Sequence, residues 1–323
     1  MQKNYRIWSA VLLIVLLASA CSAKPTPTLT PLPSLSGTIT ISGAFALYPM
    51  MTVWSQEFQK VYPNVQFDIS GGGAGKGMTD TLSGAVDIGM VSRAVKPEEV
   101  SQGAYGIGVV KDAVFPVVNA KNPVLADIMA KGITKDTFRK IFITGEITTW
   151  GQVVGKPEVT DAIHVYTRSD AAGAADAWAM FMGGKGQADI AMGIGVNGDP
   201  GLMDAVVKDP LGIGYNNLGY AFDQSTGLPP TGAAIVPIDA NANGTADTDE
   251  VISKLSVATD AIASGKYPSP PARVLNVVTK GKPSGLVQTF IIWILTDGQQ
   301  FIAPTGFVAL PADTLAASLA LAK

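Results

Sequence analysis

Polar and apolar positions first fall into a clear order at Thr38-Ile39-Thr40-Ile41, where strict alternation predicts a strand. Ser42-Gly43-Ala44-Phe45-Ala46 then leads into a helix near Pro49, with Val53, Trp54, Phe58 and Val61 on one face; proline suits a first helical turn. Asn64 to Ile69 predicts the next strand. It runs into three glycines, then a helical stretch with Met78, Leu82 and Val86 at i, i+4 and i+8, then the apolar segment Val86 to Val91. Strand, glycine-rich turn, helix and strand is the order of a βαβ unit. Its turn presents unpaired first-turn amides at the positive end of a helix dipole, which attracts anions.

Further along, Val109 to Val118 is apolar apart from Lys111 and Asp112 and predicts a strand buried on both faces, a candidate first crossing between lobes. Helices are expected over Lys131 to Ile143, Ala174 to Met182, Val251 to Ala263 and Leu286 to Leu295. Strands are expected over Ile163 to Arg168, Ala234 to Ile238 and Arg273 to Thr279. Asp170 reads as a helix cap and Lys76 as a solvated helix residue. The alternation implies an α/β protein with mainly parallel sheets.

The glycine run fits neither nucleotide motif. A P-loop requires Gly where Ser70 stands and Ser or Thr where Gly77 follows Lys76. The dinucleotide spacing puts a non-glycine residue, such as Lys76, Met78 or Ala74, on a required glycine in every register. What remains is either a surface turn or an anion cradle completed by other segments.

At 323 residues the chain is long enough for about two domains. Its 47% hydrophobic and 15% charged content predicts a large core and argues against disorder and nucleic-acid binding, as no basic run occurs. Lys3 and Arg6 precede the apolar run Ile7 to Leu17 and then Ala18-Ser19-Ala20-Cys21, which reads as a lipoprotein signal over residues 1–20. Cys21 is the only cysteine, and lipidation accounts for it. The Pro/Thr/Ser-rich residues 21–36 read as a tether. An extracytoplasmic location follows, with the membrane reached through the lipid anchor only. Loss of Lys3 and Arg6 makes the remaining chain more acidic than the net charge of −3, so an anion would be held by local dipoles and a few placed arginines.

Beyond these readings, the chain resembles the phosphate-binding proteins of ABC importers. The likeness rests on Ser42 to Trp54, Gly71 to Arg93, Val117-Val118-Asn119 with Asn122-Pro123-Val124, and Ile141 to Trp150. It continues through Arg168 to Gly173, Gly212 to Tyr220, and Lys280 to Val308. The resemblance implies a type II periplasmic binding protein-like fold of two α/β lobes, drawn from residues 37–114 with 273–323 and from residues 115–272. It also implies a monomer that closes on an oxyanion, phosphate by family default, and delivers it to an importer permease. The site it implies comprises Ala44, Phe45 and Ala46; Gly73, Ala74 and Gly75; Ser92 and Arg93; Arg168; and Ala172, Gly173 and Ala174. Family members usually carry hydroxyls where Phe45, Ala74, Ala172 and Ala174 stand, and some have Asp where Arg93 stands. Each lost hydroxyl removes a hydrogen bond to a charged ligand worth roughly 1.5–3 kcal/mol. A roomier, more apolar pocket with two positive points is the expectation, open to another oxyanion, a phosphonate or an organic acid. A sensor without a transporter is the other binding reading.

A separate motif lies in residues 239–250. Asp239, Asn241, Asn243, Gly244, Thr245, Asp247 and Glu250 match the twelve-residue calcium loop, with alternate oxygens, a glycine turn, a backbone carbonyl at Thr245 and a bidentate glutamate at the end. A structural Ca2+ is expected there, and no catalytic cofactor. Hydrolase chemistry has little to stand on, since His164 is the only histidine, no G-x-S-x-G elbow occurs and zinc would lack ligands.

Overall fold

The computed structural model describes residues 35–323; the signal, Cys21 and the tether up to Ser34 lie outside the described residues. The strands are β1 (Ser36–Gly43), β2 (Asn64–Gly71), β3 (Ile88–Val91), β4 (Ala104–Asn119), β5 (Ile133–Thr134), β6 (His164–Arg168), β7 (Ile194–Val196), β8 (Gly212–Asn217), β9 (Ala233–Ile235), β10 (Ile238–Asp239) and β11 (Ala272–Lys280). Helices of eight or more residues are numbered α1 (Tyr48–Val61), α2 (Ala74–Ser83), α3 (Gly173–Phe181), α4 (Gly198–Lys208), α5 (Leu255–Ser264), α6 (Gly285–Leu295) and α7 (Ala312–Ala322). None of the described helices is long and apolar enough to cross a membrane.

β4 organises the sheet. Its first part, Ala104 to Ala113, pairs antiparallel with β11, and its second, Val114 to Val118, pairs antiparallel with β8. The resulting order is β2-β1-β3-β11-β4-β8-β6-β7, with β9 also on β4. Pairings β1/β2, β1/β3, β6/β7 and β6/β8 are parallel, as βαβ units require, while the pairs made by β4 and β11 are antiparallel. This is the α/β periplasmic binding protein-like type II fold. The strand at Val109 to Val118 is thus sixteen residues long, and it carries the chain from one hydrophobic core to the other.

One core gathers Ile39, Trp54, Phe58, Met90 and Val110 with Leu275, Phe290 and Ile294, and Phe58 meets Phe290 and Trp293 edge-on. The other gathers Val114, Phe115, Phe142, Trp150, Trp178, Tyr215 and Ile262, with Trp178 stacked on Tyr215. Ring pairs of this kind add stability beyond their buried area. For brevity these are the first and second lobes.

Three expectations need correction. The helix over Lys131 to Ile143 is broken: Gly132 ends a helix at Lys131, β5 follows, and Thr134 caps a new short helix by accepting from Thr137 N at 3.1 Å before a π-helical turn over Lys140–Thr144. The strand over Ala234 to Ile238 splits at Pro237, and β10 leaves to pair with β5. The helix expected from Val251 begins at Leu255.

Candidate functional site

The glycine-rich stretch does two jobs in the structure. One is packing: α2 lies on β1 and β3 with backbone against backbone. A Cβ at Gly77 would stand 2.6 Å from Met90 O and 2.9 Å from both Gly43 Cα and Ser42 O. Only bare backbone tolerates that approach. The other is the turn itself. Gly73 precedes α2 at φ 88°, a conformation that favours glycine, and the Gly75 amide after it crosses the interlobe boundary.

Opposite this turn stands the segment from Arg168 to Ala174 of the second lobe. Gly75 N donates to Ala171 O at 2.9 Å, and a Cβ at Gly73 would lie 2.6 Å from Asp170 Oδ2. Gly173, at the start of α3, packs so closely on Ser92 that a Cβ there would stand 2.7 Å from Ser92 O. Phe45 completes the contact. Its ring lies against Gly71 of the first lobe and Gly198 of the second, and covers the Arg168 guanidinium, whose Cζ is 5.4 Å from the ring centroid. Thus Ala44–Ala46, Gly73–Gly75, Ser92, Arg168 and Ala172–Ala174 lie along one interlobe seam.

Several of their amides have protein partners. Ala44 N donates to Met90 O at 2.8 Å, Gly73 N to Gly43 O at 3.1 Å, and Ala172 N to Gln187 Oε1 at 2.8 Å. Arg168, its side chain 1% exposed, is held by two carboxylates. Nε and Nη2 donate to Asp170 at 2.8 and 2.6 Å, and Nη1 donates to Asp199 Oδ2 at 2.7 Å. Burial pulls the Asp170 carboxyl up, but the hydrogen bonds and charge of Arg168 outweigh it and hold Asp170 below its ordinary range. Asp170 therefore pairs with Arg168 and accepts from Gly198 N, and the α3 start at Ala172 has no side-chain cap, contrary to the capping role expected of Asp170.

Arg93 is placed differently. Its guanidinium makes a two-pronged contact with Glu99, at 2.8 and 2.6 Å, and its Nε lies 3.4 Å from Asp176 Oδ2 on α3. Both expected positive points are therefore paired inside the protein, and the Phe45 ring lies over one of them.

A model of the PBP superfamily domain matches residues 30–298. The chain belongs to the PBP superfamily. It is a superfamily of binding proteins rather than of enzymes. The phosphate-binding protein PstS of Methanocaldococcus jannaschii is 26% identical over 328 residues, covering 85% of this chain and 84% of that protein. Its counterpart from Bacillus subtilis strain 168 is 26% identical over 265 residues, covering 82% and 77%. Among solved structures, a phosphate ABC transporter substrate-binding protein with bound phosphate from Clostridium perfringens superposes with a TM-score of 0.68 at 23% identity. It covers 85% of this chain and 100% of that one.

In this superfamily member, sequence reasoning missed the polar chain behind the seam. Arg273 of β11 donates from Nε to Ser92 O at 3.1 Å and from Nη2 to Asn217 Oδ1. Its Nη1 lies 3.2 Å from Asp112 Oδ2, out of line for a hydrogen bond. Asn217 Nδ2 donates to Asp199 at 2.8 Å, which leads to Arg168. Asp112 and Asp199 are wholly buried. Burial pushes the Asp112 carboxyl up to about 6 in spite of Arg273, and pushes Arg273 down in spite of Asp112. The one available signal was Asp112 itself, a carboxylate inside an apolar strand, which must have a buried partner.

The loop over residues 239–250 is closed by its own groups. Asp239 accepts from Asn243 N and Gly244 N at 3.1 and 2.9 Å, and Asp247 Oδ2 accepts from the side-chain amides of Asn241 and Asn243. Thr245 N donates to Asn243 Oδ1, and the two Glu250 oxygens accept from Ala240 N and Asp247 N. Among the described residues no three acidic, histidine or cysteine side chains converge as a metal cluster.

Proposed function

We propose that this chain is the extracytoplasmic receptor of an ABC importer that captures a small oxyanion, phosphate first, between its two lobes. The observation that carries the reading is the meeting of three helix-leading turns, at Ala44, Gly73 and Ala172, beside a buried arginine. The amides of Ala44, Gly73 and Ala172 are themselves bonded within the protein, so the anion would take the next first-turn amides of each segment; directed backbone donors of that kind suit a tetrahedral anion without free cations in an acidic protein. The curated relatives named for phosphate binding support the same ligand. Lipid attachment through Cys21 and delivery to a permease belong to this proposal and rest on the signal sequence and the relatives.

Calorimetry of the full chain with phosphate tests it. Saturable binding with sulfate rejected is the expected result, and no heat with phosphate refutes it. The saturation of Arg168 by Asp170 and Asp199 favours a less charged anion, such as a small organic carboxylate, as the second reading. A thermal-shift screen of phosphate, sulfate and organic acids separates the two.

We further propose a structural Ca2+ in the loop over residues 239–250, supported by oxygen donors at every position the twelve-residue pattern requires. Side-chain amides now facing Asp247 would turn their oxygens inward. Chelator is expected to lower the melting temperature of calcium-loaded protein, and Glu250→Ala to remove that sensitivity; a melting curve indifferent to chelator refutes the site.

A further inference from the structure

Arg93 is the residue whose placement the anion reading leaves unused. Its backbone carbonyl accepts from Asn276 Nδ2 of β11 at 3.0 Å, so the main chain is pinned to the strand that runs beside β4. Its guanidinium is aligned by Glu99 of the same lobe and reaches Asp176, which lies in the first turn of α3 in the other lobe. The group is nearly enclosed, with 13% of the Arg93 side chain and 11% of Glu99 exposed. Burial opposes charge on both, but their mutual hydrogen bonds and attraction prevail, raising Arg93 and lowering Glu99. One turn before Asp176, Gly173 touches Ser92, so the segment Ser92-Arg93 grips α3 at two points.

From this geometry we infer that Arg93 is a closure latch, a positioning residue that ties α3 to the first lobe through Asp176 and does not touch the ligand. Glu99 fixes the guanidinium so that little side-chain freedom is lost when the lobes meet. The latch acts on the helix whose opening turn, Ala172–Ala174, faces the seam. It therefore sets how long that turn stays against Gly73–Gly75. Periplasmic binding proteins are a standing example of hinge closure around a ligand, and a contact present only in the closed form slows opening. The inference rests on the ligand reading above and adds a residue that controls release.

The test compares wild type, Arg93→Gln, Asp176→Asn and the double variant, with inorganic phosphate as probe in calorimetry and stopped-flow release. Each single variant is expected to weaken binding roughly threefold to tenfold, mainly through faster release, and the double variant to be no worse than either, as coupled residues behave. If Arg93 bound the anion directly, Arg93→Gln would cost far more and Asp176→Asn would leave affinity unchanged or tighter; that pattern overturns the latch. A wild-type protein that ignores phosphate refutes the ligand reading instead. The latch is then decided by small-angle scattering, where more expanded variants support it and dimensions equal to wild type overturn it.

Discussion

Arg168 shows how a charged side chain can be wholly buried without a free valence of charge: two carboxylates and an aromatic face surround it. Removing it would strand Asp170 and Asp199, a loss of about 3–5 kcal/mol in stability, so it is a poor probe of binding alone. Ala172 is a better one. It occupies the N-cap position of α3 in extended conformation with no side-chain cap, and Gln187 Oε1 already holds its amide. Ala172→Ser is expected to raise stability by about 1 kcal/mol through a new cap, since serine there can accept from the first-turn amides. Its hydroxyl also restores a donor at the seam, which should tighten phosphate binding by about tenfold at 1.5 kcal/mol. Unchanged melting and unchanged affinity together would mean that residue 172 neither caps nor faces the ligand.

The pairing of α2 with the sheet is the contact on which the first lobe's half of the seam depends. Gly77 brings helix backbone against Met90 O, Ser42 O and Gly43 Cα, and no flexible atom stands there to yield. Gly77→Ala should therefore cost about 1–3 kcal/mol from overpacking, despite alanine's better helix propensity. Urea unfolding reads this directly, and a stabilised variant would show that α2 can lift from the sheet at no cost. The glycine stretch was visible as a strand–turn–helix unit, yet which glycines serve the turn and which serve packing was not. That division depends on Met90 and Ser42, which the chain brings over α2 only when β1 and β3 pair. Periodicity likewise carried the long helices well, and failed at Lys131 to Ile143. There Gly132 and the Thr134 cap outweigh an apolar pattern that both a continuous and a broken helix satisfy.

Across the molecule, the two lobes are joined by β4 and by the polar chain Asp112–Arg273–Asn217–Asp199–Arg168. The Asp112 carboxyl, at about 6, lies above its ordinary value of 3.8, so the folded protein holds that proton more tightly than the unfolded chain. Its contribution is fully present below pH 3.8 and is lost as pH rises through 6, an effect of up to about 3 kcal/mol. Asp170 and Glu99, both lowered, act in the opposite sense and lose their contribution as the medium becomes more acidic. Urea unfolding of Asp112→Asn between pH 4 and 7 should show stability rising more steeply, or falling less, with pH than in wild type. Parallel profiles would remove Asp112 from the account.

By itself the sequence determined the alternation of strands and helices, the helix-leading turns and the arginine at the end of β6, because each is written in local spacing and turn chemistry. The tertiary structure alone decided the partners: Phe45 over Arg168, Arg93 turned to Asp176, and Arg273 beneath the seam. Such contacts join residues up to 181 positions apart, as Arg273 and Ser92 are. No local pattern encodes them, since they exist only once β4 has brought two separately packed cores face to face.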